Sequence, residues 1–386
     1  MTEVQALFLI LGAIYLLQCV VWLPRDHVAF RRGLRGRWKP VQAGISLEAL
    51  KLKGVPVNPL PPLPGVVACQ PQIIFLSPLG IAALPPNAET LQQHLAFVGF
   101  ADIASVRTQE RLLVINEGPF AAFRSTAAAR DAASLVGKLA NSSPGKRQPA
   151  ITAEVRARFD SKAIADRLAQ STQATSMLRF SCNLLFLLLF VLAPLIIWQR
   201  TLAASWPYLL AVLLCYLAVI TWEFARAHKS LYPERRDQRF ADALSVALSP
   251  AGALRSCDPL LKDLLLDFHP VAVARQLCAP AEFEALASRT LRELAYPRSG
   301  DLESQAEQTR LWWQGAELAA LRSFLVKSGI DPAQWLGAPE REPECRSFCP
   351  RCWSQFVIQE GTCTECGDIT LRPFAEDALS QPLSAV

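Results

Sequence analysis

Two long apolar runs separated by a short polar break leave this chain few ways to fold. Residues 180–198 read FSCNLLFLLLFVLAPLIIW, the break reads QRTLAAS, and residues 206–222 read WPYLLAVLLCYLAVITW. Neither run contains a charged residue, and each approaches the ~20 apolar residues that a helix needs to cross a bilayer. Arg200 is the one charge in the break, and Trp198, Trp206 and Trp222 stand at run ends, where an aromatic belt would place them. The expectation is a hairpin of two transmembrane helices, 180–198 and 206–222. A buried helical hairpin in a soluble core is the competing reading.

A third apolar run, ALFLILGAIYLLQCVVWL over 6–23, is followed at once by Arg25, Arg31, Arg32, Arg35, Arg37 and Lys39 against Asp26. A cleaved signal peptide carries its positive charge before the apolar run, so this order predicts an uncleaved span. The hairpin is flanked by Arg156, Arg158, Lys162, Arg167 and Arg179 on one side and Arg226, Lys229, Arg235, Arg236 and Arg239 on the other. The positive-inside rule then predicts three spans, with the N-terminus outside and the main domains in the cytoplasm. In a bacterium that is the inner, or plasma, membrane. Membrane lipids are thus one expected partner; the basic residues at 25–39 are read first as setting topology, with binding of anionic headgroups as the alternative.

Composition supports this class. The chain has 386 residues, 51% of them hydrophobic and 19% charged. That balance suits a few membrane helices carrying soluble domains better than a soluble enzyme or a polytopic transporter.

The parts outside the membrane differ in texture. Residues 24–68 form a basic juxtamembrane and proline-rich linker whose KGVPVNPLPPLP favours an extended polyproline II spacer. Residues 69–140 predict a small α+β domain. IIFLSPLGIAAL reads as a strand, ETLQQHLAFV as a helix, and ADIASV, RLLVIN and AAFRS as short strands separated by TQER and NEG turns. A closing helix over 126–139 would be capped by Ser125 or Thr126. This order of strands and a closing helix resembles bacterial PH-like and GRAM-type modules. Residues 141–179 are expected as a linker, NSSPGKRQP, followed by a helix from Ser161.

After the hairpin, 232–336 predicts a helical cytoplasmic domain. Asp258-Pro259 and Pro280 read as helix starts, and Gly329 stops a long amphipathic helix that begins near Asp301. The fold class expected for the whole is therefore an α+β multi-domain membrane protein.

The strongest chemical signal lies at the C-terminal end. Of eleven cysteines, five crowd between Cys345 and Cys366. Cys349-x2-Cys352 and Cys363-x2-Cys366-Gly367 are separated by WSQFVIQEGT, which reads as a β hairpin with a Glu-Gly turn. A CxxC turn can aim two sulfurs at one ion, and two such turns make a tetrahedral thiolate cage. The segment 345–374 resembles the zinc-ribbon family, with CPxC and CxxCG as its knuckles. The resemblance implies a structural Zn2+ held by Cys349, Cys352, Cys363 and Cys366. An iron site of the rubredoxin type has a longer gap. Cys345 is left over, either a spare ligand, a redox-sensitive thiol or an ordinary free cysteine.

Residues 340–377 carry four arginines against eight carboxylates, which excludes a basic face for nucleic acid. His27, His94, His228 and His269 are isolated, and no phosphate-cradling glycine loop or nucleophile elbow is present. No catalytic or cofactor-binding residue is therefore assigned. The expected function is a membrane-anchored, non-catalytic adaptor or regulatory protein whose helical domain and ribbon engage a protein partner. The alternatives are a membrane-bound enzyme without a recognisable motif, and a thiol or zinc redox sensor.

Overall fold

The computed structural model describes residues 3–374 apart from 34–35, 42–44, 48–49, 60–64, 85–94, 124–125, 201 and 299–302. The chain opens with helix α1 (Glu3–Gln18), then runs through strands β1 (Val20–Pro24), β2 (Val28–Arg32), β3 (Trp38–Val41), β4 (Ile45–Leu47), β5 (Leu52–Pro56) and β6 (Val66–Cys69). Strands β7 (Ile74–Leu76), β8 (Gly80–Ala83), β9 (Ala96–Gly99), β10 (Val106–Gln109), β11 (Leu112–Ile115) and β12 (Gly118–Ala122) come next. Helices α2 (Thr126–Ala140), α3 (Pro144–Ala157) and α4 (Ser161–Ala174) lead to α5 (Ser176–Leu187), a π-helical turn at Leu188–Leu192, α6 (Ala193–Gln199) and α7 (Leu202–Leu231). The helices continue with α8 (Arg236–Leu248), α9 (Pro250–Leu254), α10 (Cys257–Lys262), α11 (Pro270–Leu277), α12 (Pro280–Ala295) and α13 (Gln305–Lys327). Three short strands, β13 (Ser347–Phe348), β14 (Gln355–Phe356) and β15 (Arg372–Pro373), close the fold.

The chain divides into two compact units that interleave in sequence. One is Met1–Pro71 with Asp160–Glu282, and the other is Gln72–Phe159 with Phe283–Val386. Where the sequence suggests one helical domain over 232–336, the division falls at Glu282/Phe283.

In the first unit, Ser176–Gln199 and Ala203–Leu231 are long and apolar enough to cross a membrane. The π turn at 188–192 precedes Pro194, whose missing N–H would leave an α-helical carbonyl without a donor. The break between the helices is shorter than the expected seven residues, because α6 runs to Gln199 and α7 begins at Leu202.

The third expected span, 6–23, is corrected: its helix ends at Gln18 and Val20–Pro24 is a strand. The β-branched pair Val20-Val21 and the following Pro24 favour extended backbone, and β1 pairs antiparallel with β5 from Val20↔Pro56 to Pro24↔Leu52. Sixteen residues make a helix of about 24 Å, short of a ~30 Å hydrocarbon layer. It packs antiparallel to α5–α6. Gln5, Phe8 and Leu9 share a groove with Pro194, Ile197 and Trp198, and the Tyr15 ring lies 5.3 Å from Phe190 and 5.9 Å from Phe186.

Most of the described residues of the linker expected over 24–68 are strand. Two antiparallel sheets, ordered β1-β5-β4 and β3-β2-β6, include Arg31, Arg32, Lys39, Pro40, Lys53 and Pro56, so KGVP is strand rather than polyproline helix. The prolines at 61, 62 and 64 lie outside the described residues. Asp258, expected as a helix cap, is instead buried within α10. Its carboxylate accepts Arg255 Nε at 2.7 Å and the backbone N–H of Gly65 at 3.0 Å. Arg255 also donates to the Asn58 carbonyl at 3.2 Å, so this ion pair ties the β5–β6 connection to α9 and α10.

The second unit holds two three-stranded antiparallel meanders, β7-β8-β9 and β10-β11-β12. Each is covered by one helix: α13 lies on β7 and β8, and α2 lies on β10 and β11. IIFLSPLGIAAL is two strands rather than one, because Ser77 turns the chain. Its backbone N–H donates to the Gly80 carbonyl at 3.0 Å while its hydroxyl accepts from Leu79 and Gly80. Gly80 must be glycine, since a Cβ there would meet the Val98 carbonyl oxygen at 2.4 Å.

Of the helix expected in ETLQQHLAFV, residues 89–94 lie outside the described residues and Ala96–Gly99 is strand β9. Ser125 also lies outside them. The β11–β12 turn holds Asn116 and Glu117 at φ 49° and 71°, the mirror-image turn that suits the twist of a two-residue hairpin. Pro144, expected inside a linker, is the first residue of α3, where its missing N–H costs nothing. The core is filled by Leu76, Ile81, Leu113, Leu139, Ile151, Trp313 and Leu321, all buried. Of the Trp312-Trp313 pair, Trp313 is the buried member.

Candidate metal centre

The C-terminal segment brings Cys349, Cys352, Cys363 and Cys366 together, with one Sγ from each lying within 4.8 Å of the others. Cys349 and Cys366 are 3.9 Å apart, and Cys352 and Cys363 3.6 Å. Four sulfurs about 2.3 Å from a tetrahedral ion stand about 3.8 Å from each other, so the spacing fits a Zn2+-sized cage.

The two pairs are held by separate turns of similar design. In the first, the Trp353 N–H donates to the Cys349 carbonyl at 2.9 Å and the Cys349 N–H to the Ser354 carbonyl at 2.9 Å. In the second, the Gly367 N–H donates to the Cys363 carbonyl at 2.7 Å, and the Cys366 N–H points at Cys363 Sγ from 3.4 Å. Each turn ends on a left-handed residue, Trp353 at φ 67° and Gly367 at φ 84°. The hairpin expected over 353–362 is thus replaced by two. Strands β13 and β14 enclose the first turn, and a Thr362–Thr370 bridge encloses the second. Ser354 joins the turns, its hydroxyl 2.8 Å from Glu365 Oε2.

Burial pushes the Cys349 thiol up to about 11 and the Cys366 thiol well above its ordinary value. At Cys352 burial pushes upward, but hydrogen bonds with Ser354, Cys349 and Cys363 together outweigh it and lower the thiol. Four thiols in so small a volume ionise together only when a cation is present to share, which is the donor chemistry of a thiolate metal site.

Cys345 is not among the four. It is buried with Phe348 and Phe374 on a separate small core, against which Trp353 packs.

Three residues that sequence reasoning passed over seat the centre on α12. Arg351, between the first two cysteines, donates to the carbonyls of Glu293 at 3.3 Å and Tyr296 at 2.6 Å, and so caps the C-terminal end of α12. In return, Arg292 of α12 donates to the Arg351 carbonyl at 3.3 Å and lies over the Trp353 ring, 3.7 Å from its centre. Farther along, Arg372 covers the Tyr296 ring at 4.8 Å. An arginine inside a CxxC is the one sequence signal that could have pointed here, since it places a fork of donors beside the ligands.

Elsewhere, His269 has a structural role. His269 Nδ1 accepts from the Val271 N–H at 3.2 Å and caps α11, while the nearby Asp267 pairs with Arg167 at 3.5 Å. His94 lies outside the described residues. No family profile, curated protein sequence or solved structure matched the chain in comparisons with known proteins.

Proposed function

We propose that this chain is a membrane-anchored, non-catalytic adaptor whose C-terminal cysteines hold a structural zinc ion and present a surface to a protein partner. In this reading α5–α6 and α7 cross the bilayer and α1 packs beside them, with its N-terminal end outside and the remaining domains in the cytoplasm. The observation that carries the reading is the closed donor set. Four sulfurs within 4.8 Å of one another satisfy a zinc ion completely and leave no position for a reacting water. The ion then fixes shape rather than doing chemistry. What it shapes includes Val357 and Ile358, which stand 62% and 51% exposed on the loop joining the two turns. Two adjacent apolar side chains on a small polar module are suited to a partner's pocket.

The experiment compares partners captured from detergent-solubilised cells by the native chain, by Cys363→Ser/Cys366→Ser and by Val357→Asp/Ile358→Asp. A partner lost with both variants, while the second keeps its zinc, supports the adaptor. Identical partners in all three reduce the ribbon to a structural clip. Orientation is tested with an impermeant thiol reagent on intact cells, which should label Arg200→Cys and spare Ser143→Cys. The reverse pattern refutes the topology.

A further inference from the structure

We infer that α8 is a membrane-interface helix that dips its Phe240, Leu244 and Leu248 face among anionic phospholipids. The inference rests on the reading of α5–α6 and α7 as spans, and extends it to an element that is not one.

The face itself is the first observation. Phe240, Leu244 and Leu248 are 75%, 47% and 76% exposed, and their four-residue spacing sets them on one stripe. Ala241 falls beside them, and by the same spacing Asp237 shares the arc at the N-terminal end of the helix, away from the apolar tip. The opposite side is occupied, since Val246 is buried and Ala243 packs into the same core as Phe224.

Depth is the second. Helix α8 folds back along α7, with Asp242 Oδ2 3.8 Å from His228 Nε2 and Val246 in the core near Phe224. Directly after α8, α9 reaches α5, where Cys182 Sγ lies 3.3 Å from the Ala253 carbonyl and 3.4 Å from the Ser256 hydroxyl. Cys182 is two residues into the first apolar run, and Trp222, 72% exposed, ends the second. The C-terminal end of α8 therefore sits level with the edge of the apolar belt. The eight residues from Phe240 to Leu248 rise about 12 Å, enough to pass from headgroups to the acyl boundary.

Charge chooses the lipid. At the other end of α8 and the end of α7, one helical length from the apolar tip, five cations (Arg226, Lys229, Arg235, Arg236 and Arg239) outnumber three carboxylates (Glu234, Asp237 and Asp242). Apolar side chains at the acyl boundary with cations on the headgroup side are complementary to an anionic leaflet.

The test places a photoreactive benzophenone amino acid in the full chain, in nanodiscs of phosphatidylcholine with phosphatidylglycerol. The sites are Leu244 and Leu248 on the face, Gln238 away from it, and Leu214 in the middle of α7. Mass spectrometry should find lipid adducts at Leu214, Leu244 and Leu248 and none at Gln238. Adducts at Leu214 without any at Leu244 or Leu248 overturn the inference and leave the spans standing. No adduct at Leu214 overturns both. Crosslinks from Leu244 or Leu248 to protein instead of lipid overturn it in favour of a protein-covered face. Arg236→Glu/Arg239→Glu should cut the phosphatidylglycerol adduct at Leu248 several-fold, and an unchanged yield refutes the anionic preference.

Discussion

The guanidinium carbon of Arg292 lies over the Trp353 ring, 3.7 Å from its centre, while its Nε donates to the carbonyl of Arg351 two residues earlier. One side chain thus holds both the backbone and the aromatic ring of the first cysteine turn. A stacked arginine of this kind contributes about 0.5–2 kcal/mol, and the buried carbonyl adds about 1–3 kcal/mol if left unpaired. Arg292→Ala is expected to speed zinc transfer to a chelator and to shift tryptophan emission. Arg292→Lys keeps the charge but not the planar stack, and should fall between the two. Chelator kinetics identical to the native chain would mean that the contact does not support the centre.

Removal of a ligand is a sharper perturbation. Cys363→Ser and Cys366→Ser should each lose bound zinc, read by elemental analysis, with the apolar spans still in the membrane fraction. Because ligands bind as thiolates, zinc should also be released as pH falls. Full zinc occupancy in either variant would show that the four sulfurs are not the site.

Arg255 and Asp258 form a buried pair, with the Arg255 Nη2 to Asp258 Oδ2 distance at 2.5 Å. Taking away one partner strands the other charge, at a cost of about 3–5 kcal/mol. Asp258→Ala should lower the melting temperature in detergent far more than a substitution at an exposed carboxylate such as Glu154. Arg255→Met/Asp258→Leu should recover much of the loss. No recovery would mean that the carboxylate matters chiefly for its bond to Gly65.

Glu317 on α13 is buried against Arg158, their atoms 3.1 Å apart, and burial outweighs the arginine to raise its carboxyl above the ordinary value. An acid whose folded value is raised binds its proton more tightly when folded. Its contribution to stability is largest below the unfolded value near 4.3 and is lost as pH climbs through the folded value. Glu317→Gln should flatten that decline in melting temperature above pH 4.3. A variant with the native pH profile would place the dependence elsewhere.

The apolar hairpin and the four cysteines were legible because each is written in contiguous residues. A nineteen-residue, largely apolar run without a charge, or two CxxC pairs, need no knowledge of the rest of the chain. The first apolar run shows the limit of that reasoning. Val20 to Pro24 is as hydrophobic as the helix before it, and its weak local preference for extended backbone becomes a strand through pairing with the distant Leu52–Pro56. Asp258-Pro259 has the local grammar of a helix cap, but the distant Gly65 N–H and the Arg255 guanidinium claim the carboxylate. The seating of the metal centre was hidden for the same reason. Arg292 and Arg351 are 59 residues apart and ordinary in their own neighbourhoods.

The interleaving of the two units sets a timetable for synthesis. Sheet β7–β9 is finished by residue 99, yet its cover, α13, ends at Lys327. At ~5–20 residues per second, the ribosome leaves that apolar face bare for about 10–45 s, during which the apolar hairpin at 176–231 also emerges. A nascent chain of this design needs an escort for its first sheet before the last helix exists, and shedding its C-terminal third would leave that sheet permanently uncovered.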